Sequence, residues 1–389
     1  EIHLQNFVYC APTEIVFGKG VENQTADYVK KYDGSKVMIV YGGGSVIRSG
    51  LLAKLEAQFR EADIAYLEHG GVEPNPSLAH VREGVKKALD FGVDMILGVG
   101  GGSAIDTAKA VCALCTNEGS IRDYLFGGSR TLVNRPLPLV AVPTTAGSGS
   151  EVTAACVISD EEKGIKLSLT HPWIVPVVAV VDPVMHKDMP TGVTSSTGMD
   201  ALTHAVESYV SLRANPVSDA FALAAIEIIG KNIRRATCVP HDMEARSNMA
   251  VASVMAAAAF VNGGLGAVHG MSQAMGGVAH VSHGVGNALL LPYVCQRNLP
   301  GAMERFANVA RLLGQPVEGK PQREAAQMAV DAMFQLLEDL RLPSKLHEVK
   351  VTREMFPAII QGTMDYRLLS DNPVKLTPKD VQEILDNAY

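Results

Sequence analysis

The sequence predicts an α/β domain with a parallel, Rossmann-like sheet, followed by an all-α helical domain. Between about residues 35 and 183, short apolar runs with almost no charge alternate with segments of helical periodicity. After Asp182-Pro183 the strand-type runs cease and one helical segment follows another. The length, 389 residues, is that of two domains rather than one.

The runs at 37–40, 95–99, 139–142 and 177–181 are β-branched and bounded by glycine or proline, as strands buried on both faces should be. Segments 49–62, 77–91 and 105–115 carry the helical pattern between them. This alternation implies a parallel sheet covered on both sides. In the second half, helices are expected at 198–212, 216–229, 243–260, 302–312, 323–340 and 378–388. The boundary falls at Met189-Pro190-Thr191-Gly192, giving a domain over 1–188 and a second over 189–389.

Composition narrows the class of protein. Apolar residues make up 47% of the chain and charged residues 19%, enough for large packed cores and too apolar for disorder. A formal net charge of -7 and the lack of a lysine or arginine run argue against nucleic-acid binding. No apolar stretch approaches the roughly 18 residues of a membrane helix; the longest, 251–261, reads as a buried helix. Six cysteines in a chain of this length do not form a disulfide framework, so a reducing, cytoplasmic setting is expected. Cys112 and Cys115 read as buried thiols of a helix.

Three glycine-rich turns follow three predicted strands. Gly100-Gly101-Gly102-Ser103 lies between MILGVG and the helix AIDTAKAV, where backbone amides and a helix N-terminus can meet a phosphate. Gly42-Gly43-Gly44-Ser45 follows VMIV and offers no acid for a ribose 2′-hydroxyl; with Arg48 nearby it could admit a 2′-phosphate. Pro143-Thr144-Thr145-Ala146-Gly147-Ser148 brings hydroxyls to a third strand end. One such turn is commonplace, but three together point to a nucleotide site.

Asp200 and His204 are four residues apart in GMDALTHAVESYV, so both project from one helix face. Such a pair is also common on helix surfaces. His269 and His283, each followed by glycine in a charge-free segment, shift the balance, because imidazoles in apolar surroundings need partners. One aspartate with three histidines suits ferrous iron or zinc and is poor for calcium or magnesium. His280 and Gln273 read as lining residues.

The stretches GGGSAIDTAK, PTTAGSGSEVT, MDALTHAVESYVS and the two His-Gly pairs, in this order, resemble the iron-containing (group III) alcohol dehydrogenase family, similar to its bacterial butanol- and propanediol-type members. The resemblance runs nearly end to end. It implies a metal held by Asp200, His204, His269 and His283, which are the catalytic set. It implies cofactor contacts from Gly101, Gly102, Ser103, Asp106, Thr144, Thr145, Ser148 and Lys166, with Gly42, Gly43, Gly44 and Ser45 similar to NADP-using members. Phe260 and Gln273 are expected in the substrate pocket, Gln273 standing where several relatives have a further histidine. The implied activity is direct hydride transfer between a small primary alcohol or diol and NAD(P), NADP favoured, with Fe2+ or Zn2+ as Lewis acid. A small-molecule alcohol or aldehyde is the expected partner, with a homo-oligomer and no nucleic acid or membrane. The alternatives are a glycerol-dehydrogenase-like or dehydroquinate-synthase-like enzyme on the same fold, and a non-catalytic metal- or nucleotide-binding protein.

Overall fold

Charge-free β-branched runs can be buried on both faces only if helices cover both sides of the sheet they form. The computed structural model, which describes residues 6–389, shows this arrangement in one of two units, made of Ala11–Thr145 and Gly149–Asp188. The other unit comprises Met189–Tyr389, Ala146–Ser148 and the described residues up to Cys10.

In the α/β unit the chain runs β1 (Glu14–Phe17), α1 (Thr25–Lys31), β2 (Lys36–Tyr41), α2 (Gly44–Arg48), α3 (Leu51–Glu61), β3 (Ala65–His69), α4 (Leu78–Phe91), β4 (Met95–Gly100), α5 (Gly102–Leu114), β5 (Leu139–Pro143), β6 (Ala155–Asp160), β7 (Ile165–Thr170) and β8 (Val178–Val181). Six strands form a parallel sheet in the order β1-β8-β5-β4-β2-β3. Alternate residues divide between its faces. Val37, Ile39, Leu97 and Val99 pack with Leu51, Leu55 and Phe59 of α3. Met38, Val40 and Ile96 pack with Ile105, Ala108 and Val111 of α5 and with Val81 of α4.

The four predicted strands are β2, β4, β5 and β8. The edge strands β1 and β3 escape a search for apolar runs because each carries an acid and is only partly buried. The hairpin β6–β7 is antiparallel and likewise half-buried, so its pattern is weak.

The helical unit contains α6 (Thr191–Val210), α7 (Pro216–Cys238), α8 (Met243–Gly263), α9 (Ala267–Ala279), α10 (His283–Asn298), α11 (Met303–Leu312), α12 (Gln322–Asp339), α13 (Phe356–Met364) and α14 (Pro378–Ala388). No single helix among the described residues is long and apolar enough to cross a membrane. α6 starts a full two turns before residue 198, through TGVTSST, a run of low helix propensity. The hydroxyls of Thr194 and Thr197 donate to the carbonyls of Pro190 and Val193 one turn back, which satisfies them inside the helix. α9 and α10 were not expected as helices, since glycine and an internal Pro292 argue against them. Packing overrides propensity there. A Cβ at Gly270 would lie 2.9 Å from the Tyr366 ring, and one at Gly284 would lie 2.7 Å from the Ser196 carbonyl of α6. The glycine after each histidine is therefore what lets α9 and α10 close on their neighbours.

Asp182, where β8 ends, is fully buried. It accepts from the amides of Gly20 (2.8 Å) and Val184 (3.0 Å), so one carboxylate ties the turn after β1 to the exit from β8. Replacing Asp182 with alanine leaves these buried donors unpaired and should destabilise the α/β unit by roughly 2–4 kcal/mol. Chemical denaturation followed by circular dichroism measures this, and an unchanged midpoint contradicts it.

Candidate metal centre and cofactor turns

On α6, residues 200, 204 and 207 share one face, and α9 and α10 bring a histidine each to the same place. One donor atom from each of Asp200, His204, His269 and His283 lies within 4.8 Å of the others. Asp200 Oδ1 is the hub, with the Nε2 atoms of His283, His204 and His269 at 3.4, 3.5 and 4.0 Å. Asp200, His204 and His269 are buried, whereas the His283 side chain is 46% exposed, so the cluster is open on the α10 side.

Buried oxygen and nitrogen lone pairs cannot face one another at this range without positive charge or protons between them. Burial holds His204 and His269 down to about 4, so near neutrality both rings are uncharged. Burial pushes Asp200 up, but the three imidazoles and the Asn287 amide outweigh it and hold the carboxyl below its ordinary range. A carboxylate among neutral imidazoles is the state that binds a borderline divalent cation. The donor set therefore fits ferrous iron or zinc.

Two residues not expected from sequence complete the cluster. Asn287, wholly buried, places Nδ2 at 2.8 Å from Asp200 Oδ1, 3.1 Å from His283 Nε2 and 3.2 Å from His269 Nε2. Glu207 accepts from the Val268 amide at 2.7 Å and lies 2.5 Å from His269 Nδ1. Burial pushes the Glu207 carboxyl up to about 8, against the pull of N–H donors at the start of α9. Helix spacing was a signal for Glu207, three residues after His204; Asn287 falls four after His283, but on α10, which the sequence does not mark as a helix. Phe260 stacks on His204, ring centroids 4.5 Å apart. Gln273 lies one turn beyond His269 in α9, and His280, in the left-handed region after α9, is outside the four-donor group.

In the α/β unit, the turns after β2, β4 and β5 come from three neighbouring strands. Chain progression reverses between β2 and β4, the place where open α/β sheets take their ligands. Gly42, Gly43, Gly44 and Ser45 lie on one side of it and Gly101, Gly102 and Ser103 on the other. The Thr144 amide donates to the Gly100 carbonyl at 2.9 Å, and Thr145 lies against Gly101. α5 begins after Gly101 with no side-chain cap, which leaves its first amides for an anion. The guanidinium of Arg48 covers Gly44, taking the space of any side chain there.

Other predicted contacts have protein partners or come from elsewhere. Ser103 Oγ donates to the Pro74 carbonyl, and Asp106 accepts from Ser150 Oγ and the Val157 amide. Ser103 ties the start of α5 to the loop after β3, and Asp106 ties α5 to the segment after β5 and to β6. Fully buried Lys109 donates to Ser150 Oγ, Thr153 Oγ1 and the Ala155 carbonyl at 3.0, 2.9 and 2.9 Å. Lys166 lies on β7 of the hairpin, its pKa lowered by burial. Ser148 falls in the short segment Ala146–Ser148 that groups with the helical unit.

Known proteins share this design. Residues 12–183 match the family model described as iron-containing alcohol dehydrogenase, and residues 194–389 match that of the Fe-containing alcohol dehydrogenase family, C-terminal. The chain is 37% identical to 1,3-propanediol dehydrogenase of Citrobacter freundii, over 98% of this chain and 99% of that protein. It is 36% identical to the NAD-dependent methanol dehydrogenase of Bacillus methanolicus, over 97% and 98%. A crystal structure of 1,3-propanediol oxidoreductase superposes with a TM-score of 0.95 at 36% identity, covering 99% of this chain and all of that one. Matches that span both units and nearly every residue leave one assignment: the chain belongs to the iron-containing alcohol dehydrogenase family.

Proposed function

We propose that the protein interconverts a small primary alcohol or diol and its aldehyde with NAD(P)(H), at a divalent cation held by Asp200, His204, His269 and His283. The convergence of these four donors, three buried and His283 half-exposed, is the observation that carries the reading. The relatives named for 1,3-propanediol and methanol support small primary alcohols. When bound, the cation supplies Lewis acidity toward a substrate oxygen, and the nicotinamide supplies or takes the hydride.

The protein's own part is placement. Asp200 contributes the one negative charge of the donor set, so a divalent ion keeps net positive charge to share with a substrate oxygen. Phe260, packed on His204, gives the cluster an apolar flank that limits water. Gln273 can hydrogen-bond a substrate hydroxyl but cannot take up its proton.

The test is oxidation of NADH and NADPH by small aldehydes after anaerobic loading with ferrous ion. Turnover should require the ion, and an unchanged rate in the chelated protein contradicts the proposal. His269→Ala and His283→Ala should each lower bound metal below stoichiometry and turnover by more than about 100-fold, beyond the range of outer-shell changes. The far-ultraviolet spectrum should stay unchanged, and metal analysis of the same samples reports the cause.

Iron and NAD(H) accord with the family and its NAD-dependent members. We further propose that NADP(H) serves at least as well, because no acid stands at the end of β2 to repel a 2′-phosphate. A Cβ at Gly42 would meet only the Val72 carbonyl, at an ordinary 3.7 Å, so Gly42→Asp is sterically tolerated. It should shift kcat/KM toward NADH by about 1–3 kcal/mol, the scale of one charged contact. A wild-type enzyme that already favours NADH by about tenfold (1.4 kcal/mol) overturns this.

A further inference from the structure

The short contact between Glu207 and His269 does more than join two helices. We propose that Glu207 is a positioning residue that fixes which ring nitrogen of His269 carries the proton, and so keeps Nε2 free to bind the cation. This deepens the metal-centre reading and rests on it.

The argument starts from Asn287. Its amide group lies 2.8 Å from Asp200 Oδ1, and a carboxylate oxygen can only accept, so the atom facing it is the donor Nδ2. The same Nδ2 is 3.2 Å from His269 Nε2. Two N–H donors would repel there, so Nε2 presents its lone pair. A neutral imidazole with a bare Nε2 carries its hydrogen on Nδ1. The atom 2.5 Å from Nδ1 is Glu207 Oε2, which must then accept; burial raises this carboxyl, but with N–H groups aimed at both of its oxygens it has no proton to donate on either contact. The other oxygen of Glu207 accepts the Val268 amide at 2.7 Å. The two Nδ2 hydrogens of Asn287 are shared among three acceptors, Asp200 Oδ1, His283 Nε2 and His269 Nε2, so each ring presents a lone pair to it.

The backbone explains why a carboxylate is required. α9 starts after Gly266 without a side-chain cap of its own, and Val268 and His269 are its second and third residues. Glu207, reaching over from α6, takes the Val268 amide and the His269 ring together, at the positive end of α9. An amide in place of the carboxylate could satisfy only one of them as acceptor. The Val268 N–H is fixed by the helix and claims the oxygen. The NH2 group would then face Nδ1, which must become an acceptor, and the proton would move to Nε2. Glu207→Gln therefore keeps shape and volume while inverting the His269 tautomer.

The experiment uses the full chain. Protein carrying 15N-labelled histidine, stripped of metal, reports the tautomer of each ring through its nitrogen shifts, and loss of one signal set in His269→Gln identifies residue 269. Wild type should show Nδ1–H at His269 and Glu207→Gln should show Nε2–H. Titration with Zn2+ against a competing chelator should give a dissociation constant about 10- to 100-fold higher for Glu207→Gln. If Glu207→Gln fails to fold, Glu207→Asp replaces it; it keeps the charge and should retain Nδ1–H. An Nε2–H tautomer in wild type or in Glu207→Asp, or unchanged tautomer and Zn2+ affinity in Glu207→Gln, overturns the proposal. Wild-type protein that takes up no Zn2+ overturns the metal-centre reading instead, and the tautomer measurement still decides the part played by Glu207.

Discussion

The helical unit is organised by one electrostatic constraint: the buried carboxylate of Asp200 faces three imidazoles, two of which, His204 and His269, burial keeps uncharged. Nothing in a hydrocarbon core stabilises such a group. The unit meets that constraint with the Asn287 amide and with imidazoles brought up by α6, α9 and α10. Asn287 supplies the nearest hydrogen, Glu207 anchors the ring of His269, and the glycines after both histidines let the helix backbones come close enough. The same features that make the site costly to build make it receptive to a cation, since lone pairs already converge before any ion arrives.

In the α/β unit the constraint is on the backbone. Phosphate binding calls for unpaired amides at a place where helices do not block approach, and a parallel sheet offers this where its strand order reverses. β2 and β4 flank that place, and glycine follows each of them. Hydroxyl and carboxylate groups next to these turns, such as Ser103 and Asp106, mainly grip neighbouring backbone.

The central strands of the sheet were readable from sequence, and its edge strands were not. β2, β4, β5 and β8 are buried on both faces, so their composition is uniform and visible. β1 and β3 lie at the edges and mix acid with apolar residues, which removes the signal. α9 and α10 stayed hidden because the glycines that weaken a helix in isolation are the ones that tertiary packing demands. Of the cluster, the residues with ligand chemistry stood out by type. Glu207 and Asn287 did not, because an acid or an amide on a helix is ordinary until its neighbours are known. For Glu207 its spacing from His204 on a predicted helix was the local clue; for Asn287 the hidden α10 removed even that.

The buried ammonium of Lys109 has a bearing on redesign. It rises from α5, the helix of the second glycine turn, and holds Ser150, Thr153 and the Ala155 carbonyl beyond the third. These two turns are thus mechanically linked, and changing one disturbs the other. The turn after β2 has no such brace, and a Cβ at Gly43 would touch nothing. The consequence is modular: the turn after β2 can be rewritten without disturbing the linked pair after β4 and β5.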